Sequence, residues 1–231
     1  MTLRPAEALV LFDIDGTLVR RAGPDHRNVL VDAVRGVTGL ETSTDHIPVH
    51  GMLDPDILTR MMQDAGASRA RIARAMPAII ERAQALYVRR CPDLRSKTCP
   101  GARALLSRLT RRAIPLGLVT GNLTRIGWKK MERAGLKKHF RFGAFAEMAP
   151  DRAGLVRLAV QHARQRGWVK PDARVSLIGD APSDILAAKA NGARSIAVST
   201  GISTRDELQA CGPDLLLEDL RALRLGMLAP S

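Results

Sequence analysis

Near the start of the chain, two carboxylates stand where a buried strand would end. The stretch Ala8–Val19 is ALVLFDIDGTLV, so an apolar run leads directly into Asp13 and Asp15, followed by Gly16 and Thr17. Two like charges so close together repel each other and lose their hydration together, which makes burying them costly. A bound cation would offset this cost, so the pair predicts a cation site.

Polar residues also follow two later apolar runs. In open α/β sheets ligands bind at the carboxyl ends of the strands, and neighbouring strands share that edge. Carboxylates, a hydroxyl and glycine-opened backbone would then enter one small volume, and such a donor set suits Mg²⁺, which prefers oxygen ligands. The residues concerned are Asp13, Asp15, Thr120, Gly121, Asn122, Asp180 and Asp184.

The elements that would position these residues are short apolar runs separated by helical patterns. Continuous apolar runs are typical of strands buried on both faces, and helical patterns that end at glycine lie between the later runs. This alternation predicts an α/β fold with a doubly wound parallel sheet in a Rossmann-like core. The predicted strands cover residues 8–12, 114–119, 142–145, 175–178, 195–198 and, more weakly, 214–217.

A helical segment interrupts that alternation after the first strand. From about residue 20 to residue 96 the pattern is helical, and a loop at 48–54 divides it. We therefore expect an α/β catalytic core of residues 1–18 and 97–231 and a smaller, all-helical cap domain of residues 19–96. An insert that leaves from the carboxyl end of the first strand would lie over the site as a lid.

Composition excludes several classes of protein. Hydrophobic residues make up 45% of the 231 residues, enough to bury a sizeable core. No apolar run approaches the roughly 20 residues of a membrane helix, and the first residues lack the pattern of a secretory signal. The chain has three cysteines and no Cys-x-x-Cys pair, which indicates a reducing compartment. We expect a cytoplasmic protein without a membrane partner, and the sequence leaves its oligomeric state open.

The formal net charge of +13 suggests nucleic acid as a possible partner. However, the arginines are spread along the whole chain, and one Tyr and two Trp offer little surface for base stacking. We therefore do not expect nucleic-acid binding. A dispersed positive field could attract anionic substrates, and a coding bias towards Arg would also produce it.

Taken together, the motifs resemble those of the haloacid dehalogenase-like superfamily of phosphohydrolases over nearly the whole chain. The first motif, Asp-x-Asp-x-Thr, is matched by DIDGT, and the second, a Ser or Thr at a strand end, by Thr120 in LVTGN. The fourth, Gly-Asp-x-x-x-Asp, is matched by GDAPSD. The position of the insert and the stretch VSTGISTRDELQACGPDLLLEDL are similar to the phosphoglycolate phosphatase-like branch, which has a helical cap.

The resemblance implies a Mg²⁺-dependent phosphatase acting on a small phosphorylated metabolite. Asp13 would attack phosphorus and form an aspartyl-phosphate, and Asp15 would act as general acid and then as general base. Mg²⁺ would be held by Asp13, the backbone carbonyl of Asp15 and Asp180. Asp184 would orient this shell or ligate the metal directly in some states, although an acidic residue in the first turn of a helix is also favoured for structural reasons.

The phosphate itself would be held by Thr120 and by the backbone amides of Gly121 and Asn122. The family's third motif, a lysine before the helix that leads into the fourth-motif strand, has no match here. Lys170 lies after that helix, so we exclude it. Arg152 is the available cation and could hold phosphate in a bidentate fork. The alternative is that Arg152 is an ordinary surface residue in a first helical turn.

Alternatives remain for the insert and for the function. His50 and Asp54 flank HGMLD, which resembles a cap-helix start that can face the substrate. Alternatively, Asp54 simply caps its own helix and His50 has no functional role. Because Asp15 is present, we favour phosphate esters over carbon–halogen or phosphonate substrates. A phosphosugar mutase of the β-phosphoglucomutase kind has the same motifs, and a non-catalytic binding or regulatory protein that kept the fold is a third possibility.

Overall fold

The computed structural model describes residues 4–20 and 24–228 and contains one parallel β-sheet. In chain order its strands are β1 (Ala6–Phe12), β2 (Leu116–Val119), β3 (Phe142–Ala144), β4 (Val169–Gly179), β5 (Arg194–Val198) and β6 (Leu215–Leu217). They pair in the order β3-β2-β1-β4-β5-β6. The predicted doubly wound α/β fold is confirmed, and each predicted strand is present with its ends shifted by a few residues.

From β2 onwards the helices alternate with the strands as predicted. They are α1 (Asp25–Thr38), α2 (Asp54–Asp64), α3 (Arg69–Arg90), α4 (Ala102–Arg111), α5 (Thr124–Arg133), α6 (Arg152–Gln165), α7 (Pro182–Ala190) and α8 (Arg205–Ala210). Short 3₁₀ turns lie at Arg95–Lys97, Lys137–His139, Ala146–Met148 and Leu225–Leu228. No helix among the described residues is both long and apolar enough to cross a membrane.

The central strand β1 sets the position of the candidate site. It lies between β2 and β4, and Phe12 is in register with Leu118 on one side and Ile178 on the other. Its last residues are fully buried because helices cover both faces of the sheet. The residues that follow β1, β2 and β4 therefore emerge side by side. Asp13 continues the ladder for one more bond, since its backbone N–H donates to Ile178 O at 2.9 Å.

The segment between β1 and α4 is helical, and its described residues contain α1, α2 and α3 but no strand. The apolar faces of these helices join the apolar cluster on one face of the sheet. Leu30 of α1 and Leu58 of α2 belong to the same cluster of buried side chains as Phe12 and Ile126. The insert is therefore packed against the part of the core that carries the strand ends.

Candidate active site

Three buried aspartates meet at the carboxyl ends of β1 and β4. Asp13 follows β1, Asp180 follows β4, and Asp184 lies in the first turn of α7. Each contributes a carboxylate oxygen to a group whose members all lie within 4.8 Å of one another. Asp184 also accepts a hydrogen bond from the Ala181 backbone N–H at 3.1 Å, which fixes its side chain at the start of the helix.

The electrostatic cost of burying these carboxylates together raises their pKa values. Burial, together with the nearby carboxylates of Asp184 and Asp15, raises the pKa of Asp13 to about 7, although Arg152 opposes the shift. Burial and the carboxylates of Asp13 and Asp184 likewise raise the pKa of Asp180. The cluster is therefore a site that favours either protons or a bound cation.

Among the described residues, Arg152 contacts this cluster as a protein cation. Arg152, the first residue of α6, is buried, and its Nη1 lies 3.2 Å from Asp13 Oδ1 and 2.5 Å from Asp184 Oδ1. Burial acts to lower the pKa of Arg152, but these two carboxylates outweigh it and raise the pKa above its usual value. The alternative that Arg152 is a surface residue is wrong. The excluded Lys170 is exposed and pairs with Glu7 at 2.7 Å.

The side chain of Asp15 turns away from this cluster towards α5. Lys130 Nζ lies 2.7 Å from Asp15 Oδ1 and 2.6 Å from Oδ2, and Asn122 Nδ2 donates to Oδ2 at 2.7 Å. Burial acts to raise the pKa of Asp15. Lys130, His26 and these hydrogen bonds outweigh it, so the pKa lies below its ordinary value. The two aspartates of the first motif are thus held by two different cations.

The strand-end segment after β2 forms a compact polar loop. Asn122 Nδ2 also donates to Thr120 Oγ1 at 2.7 Å. Gly121 allows the insert to approach closely, because an added Cβ would lie 2.2 Å from Met52 O. Its carbonyl accepts from the Asp54 backbone N–H at 2.8 Å. Thr120, Gly121 and Asn122 all border the same cavity as Asp13.

Asp54 links the insert to the core rather than capping its own helix. Leu53 is the N-cap residue of α2, and Asp54 is the first residue within the helix, so the capping alternative is wrong. Its Oδ2 instead accepts from the Leu123 backbone N–H at 2.9 Å, at the start of α5. The same oxygen lies 3.0 Å from His26 Nε2 of α1. Asp54 borders the cavity together with His26.

His50 lies beside the aspartate cluster. Its Nε2 is 2.9 Å from Ser203 Oγ and 3.5 Å from Asp180 Oδ2. Asp180 is further confined by glycines, since an added Cβ would lie 2.1 Å from its Oδ2 at Gly16 and 1.6 Å from the same atom at Gly201. The structure therefore places His50 beside Asp180 at the edge of the cavity.

These residues line one cavity of about 180 Å³ between the strand ends and the insert. The core contributes charged side chains and the loop of residues 120–122 that follows β2. The insert contributes a mixed wall of polar and apolar side chains. From the insert these are His26, Arg27, Leu30, Thr44, Val49, His50, Gly51, Met52, Asp54 and Ile57. Every predicted site residue except Asp184 borders the cavity. Asp184 lies behind this lining and pairs with Arg152, which borders the cavity.

Comparison with known families decides the class of the protein. The family model of the haloacid dehalogenase-like hydrolases matches residues 8–192. The chain belongs to this family. The resemblance inferred from the motifs and the prediction of a hydrolase are both confirmed.

Relatives of this hydrolase include phosphoglycolate phosphatases. That of Pseudomonas fluorescens strain Pf-5 is 28% identical over 231 residues, covering 96% of this chain and 80% of the relative. That of Synechococcus elongatus is 31% identical over 119 residues, covering 51% of this chain and 53% of the relative. These similarities agree with the branch that the sequence resembles.

Solved structures of other proteins have the same fold. A variant of CbbY from Rhodobacter sphaeroides in complex with xylulose-(1,5)bisphosphate has a TM-score of 0.71 at 22% identity, covering 96% of this hydrolase and 99% of that chain. β-Phosphoglucomutase from Clostridium difficile has a TM-score of 0.69 at 19% identity, covering 96% and 95%. At these identities the likeness concerns the fold.

The aspartate cluster of this hydrolase could hold a metal ion. Asp180 Oδ1 accepts from Thr17 Oγ1 at 3.1 Å, whereas Asp180 Oδ2 is buried and has no hydrogen-bond partner. A buried carboxylate oxygen without a hydrogen-bond donor is rare and costly, and Asp180 contributes a carboxylate oxygen to the cluster that it forms with Asp13 and Asp184. Among the described residues, the carboxylates that could hold a metal ion together are those of Asp13, Asp180 and Asp184. The carboxylate of Asp15 is paired with Lys130 instead. Of the predicted ligand atoms of Asp15, its backbone carbonyl is therefore the one left for the metal.

The sequence did not reveal three residues of this hydrolase's site. Lys130 belongs to the helical stretch GWKKMER, where it lies one helical turn after Ile126 on the apolar face of α5 and is buried. That shared face was the available signal. His26 lies in the helical insert with no motif around it, and Thr17 belongs to DIDGT but was not assigned to Asp180.

Proposed function

We propose that this hydrolase is a Mg²⁺-dependent phosphatase that cleaves a small phosphate monoester through an aspartyl-phosphate. The observation that carries the proposal is the meeting of Asp13 with Asp180, Asp184 and Arg152 at the base of a small cavity. A nucleophilic carboxylate surrounded by oxygen donors for a hard cation, with a guanidinium for an anion, suits phosphoryl transfer.

In the first half of the proposed reaction, Asp13 attacks phosphorus in line with the ester oxygen. The bond between phosphorus and the ester oxygen breaks, and an aspartyl-phosphate remains on Asp13. Asp15 gives a proton to the departing alkoxide. Thr120 and the backbone amides of Gly121 and Asn122 hold the phosphoryl oxygens during the transfer.

In the second half, Asp15 takes a proton from water, and the water oxygen attacks phosphorus. The bond between phosphorus and the Asp13 carboxylate breaks, so inorganic phosphate leaves and Asp13 is regenerated. Asp13, Asp180 and the Asp15 backbone carbonyl, with Asp184 nearby, would hold Mg²⁺, which would supply positive charge next to the phosphoryl group. Arg152 adds a fixed positive charge to the same side.

The proposed substrate is a small ester because the cavity is small and the insert covers it. We infer that residues 19–96 form a cap domain that sets this selectivity, since their described side chains supply one wall of the cavity. The relatives named phosphoglycolate phosphatase make phosphoglycolate the first ester to test.

The test is phosphate release by the purified protein from a panel of esters that includes phosphoglycolate, p-nitrophenyl phosphate and sugar phosphates. We expect phosphate release with Mg²⁺ and none with a chelator. A sugar phosphate that is isomerised only when a sugar bisphosphate is present would instead identify a mutase. A protein that is inert towards the whole panel with metal present would contradict the proposal and favour a binding role.

A further inference from the structure

Lys130 is a buried ammonium whose donors all find acceptors within the site. It lies in α5, is 1% exposed, and contacts three polar side chains besides the aromatic ring of Tyr87. Its Nζ reaches the carboxylate of Asp15, Asn122 Oδ1 at 2.6 Å and His26 Nδ1 at 3.2 Å. Burying a lysine is costly unless it is fully paired, so this arrangement is a specific feature of the site.

We propose that Lys130 is a positioning residue. It holds Asp15 and the loop of residues 120–122, the phosphate loop, in their working geometry. The inference rests on the proposed phosphatase function, in which Asp15 exchanges protons with the leaving group and with water. Lys130 does not touch the reacting phosphoryl group in this proposal and acts through Asp15 and Asn122.

The contacts to Asp15 fix its carboxylate at two points. Lys130 Nζ lies 2.7 Å from Oδ1 and 2.6 Å from Oδ2, so the carboxylate cannot turn without losing one contact. Both side chains border the cavity, but that of Asp15 is half-exposed, whereas that of Lys130 is buried. Lys130 therefore holds Asp15 away from the carboxylates that surround Asp13 and leaves its open side facing the substrate.

The contact to Asn122 extends the same control to the phosphate loop. Because Asn122 Oδ1 accepts from Lys130, its Nδ2 group must point the other way, where it donates to Asp15 Oδ2 and to Thr120 Oγ1, each at 2.7 Å. One ammonium thus fixes the amide orientation of Asn122 and, through it, the hydroxyl of Thr120.

The third acceptor comes from the insert. His26 Nδ1 accepts from Lys130 when the ring proton is on Nε2, and that N–H can then donate to Asp54 Oδ2 at 3.0 Å. With the proton on Nε2, the ring satisfies both partners. Packing of α1 and α2 against the core therefore completes the pairing of Lys130.

The experiment compares esters whose leaving groups differ in their need for a proton. An alkoxide leaves poorly unless it is protonated, whereas p-nitrophenolate leaves without help. If Lys130 positions Asp15, Lys130→Met slows single-turnover cleavage of an alkyl ester such as phosphoglycolate by on the order of 10²-fold. Cleavage of p-nitrophenyl phosphate is slowed only a few-fold in the same variant, and KM for both esters stays within about threefold.

The matched control is Lys129→Met on the same helix, because Lys129 pairs with Glu132 at 3.0 Å and does not border the cavity. It should behave as the wild type with both esters. His26→Leu removes only one acceptor of Lys130, and we expect the same selective loss at about a tenth of the size. Equal slowing of both esters by Lys130→Met, or no slowing, would overturn the inference.

Thermal unfolding separates positioning from folding. If both Lys130→Met and His26→Leu lose the cooperative transition of the wild type, Lys130 is a structural residue and the proposal is overturned. Failure of the underlying function has a different sign: the wild type itself would release no phosphate from any ester. An active wild type with an unselective Lys130→Met overturns only the role of Lys130.

Discussion

Arg152 Nη1 lies 3.2 Å from Asp13 Oδ1, although 139 residues separate the two in the chain. The contact joins the end of the central strand to the first turn of α6. It places a permanently charged group beside the proposed nucleophile, in the region where the family's motif has a lysine. Asp15, only two residues from Asp13, is held by Lys130 instead. The site thus keeps its two adjacent aspartates apart by giving each its own cation.

Loss of Arg152 should affect both stability and turnover. Arg152→Met leaves Asp13 and Asp184 buried without their cation, and breaking such a buried pair costs about 3–5 kcal/mol in the free energy of unfolding. We expect kcat to fall by on the order of 10²-fold or more, as when one stabilising donor is lost at a transition state. Urea unfolding without metal and steady-state kinetics with Mg²⁺ measure the two effects.

The control for this change is Arg157→Met, an exposed arginine of the same helix, which should leave both quantities unchanged. Arg152→Lys keeps the charge and should recover part of the stability but little of the turnover, because a single ammonium cannot reach as the guanidinium does. Full activity in Arg152→Met would show that the guanidinium plays no part in the reaction.

Gly201 should be needed for magnesium affinity. An added Cβ would lie 1.6 Å from Asp180 Oδ2, so Gly201→Ala must displace this carboxylate. We expect the Mg²⁺ concentration that gives half-maximal activity to rise by at least about tenfold, as when the support of a metal ligand is lost. Gly226→Ala is the control, because nothing lies within 4 Å of a Cβ added there. An unchanged magnesium dependence in Gly201→Ala would rule out Asp180 as a ligand held in this slot.

The stability of the metal-free protein should fall as pH rises from about 4 to about 7 on account of the aspartate cluster. Burial beside Asp184 and Asp15 raises the pKa of Asp13 from 3.8 to about 7. The folded protein therefore binds more protons than the unfolded chain in this window, and its stability decreases as they are lost. Mg²⁺ competes with those protons, so it should raise Tm more at about pH 8 than at about pH 5.5.

Thermal unfolding in chelator and in Mg²⁺ at the two pH values checks this prediction. Asp13→Asn removes the titrating carboxylate and should flatten the fall in metal-free stability. The same Mg²⁺-dependent rise in Tm at both pH values would mean that protons and metal do not share this site.

Much of the fold was predictable because buried parallel strands have a simple sequence pattern. Runs such as Val175–Ile178 are mainly apolar on both faces, and polar or charged residues follow them closely. The same pattern therefore predicts both a buried strand and a site at its end. The strand ends shifted where polar residues continue a ladder, as in β4, which begins at Val169 and includes Lys170. The first residues of β4 are mostly exposed, so an apolar pattern cannot predict that they pair with β1.

The candidate site was predictable where each residue stands at a strand end and not where a helix supplies it. Asp13, Thr120 and Asp180 follow strands, so topology alone brings them together. Lys130 reaches Asp15 from the middle of a helix, and a lysine there is usually solvated. For Asp54 the sequence left two readings open, a residue that faces the substrate and a cap of its own helix. Its partner, the Leu123 backbone N–H, is distant in sequence and depends on how the insert packs.

The central claim is that the Asp13 carboxylate carries the phosphoryl group, and the Asp13→Asn variant tests it most directly. This change keeps the size of the side chain and removes the nucleophile. With Mg²⁺ and the best ester of the panel, we expect kcat to fall by on the order of 10³-fold or more, while the cooperative unfolding transition is retained. A folded Asp13→Asn protein that turns over the ester at a rate comparable to the wild type would contradict the account.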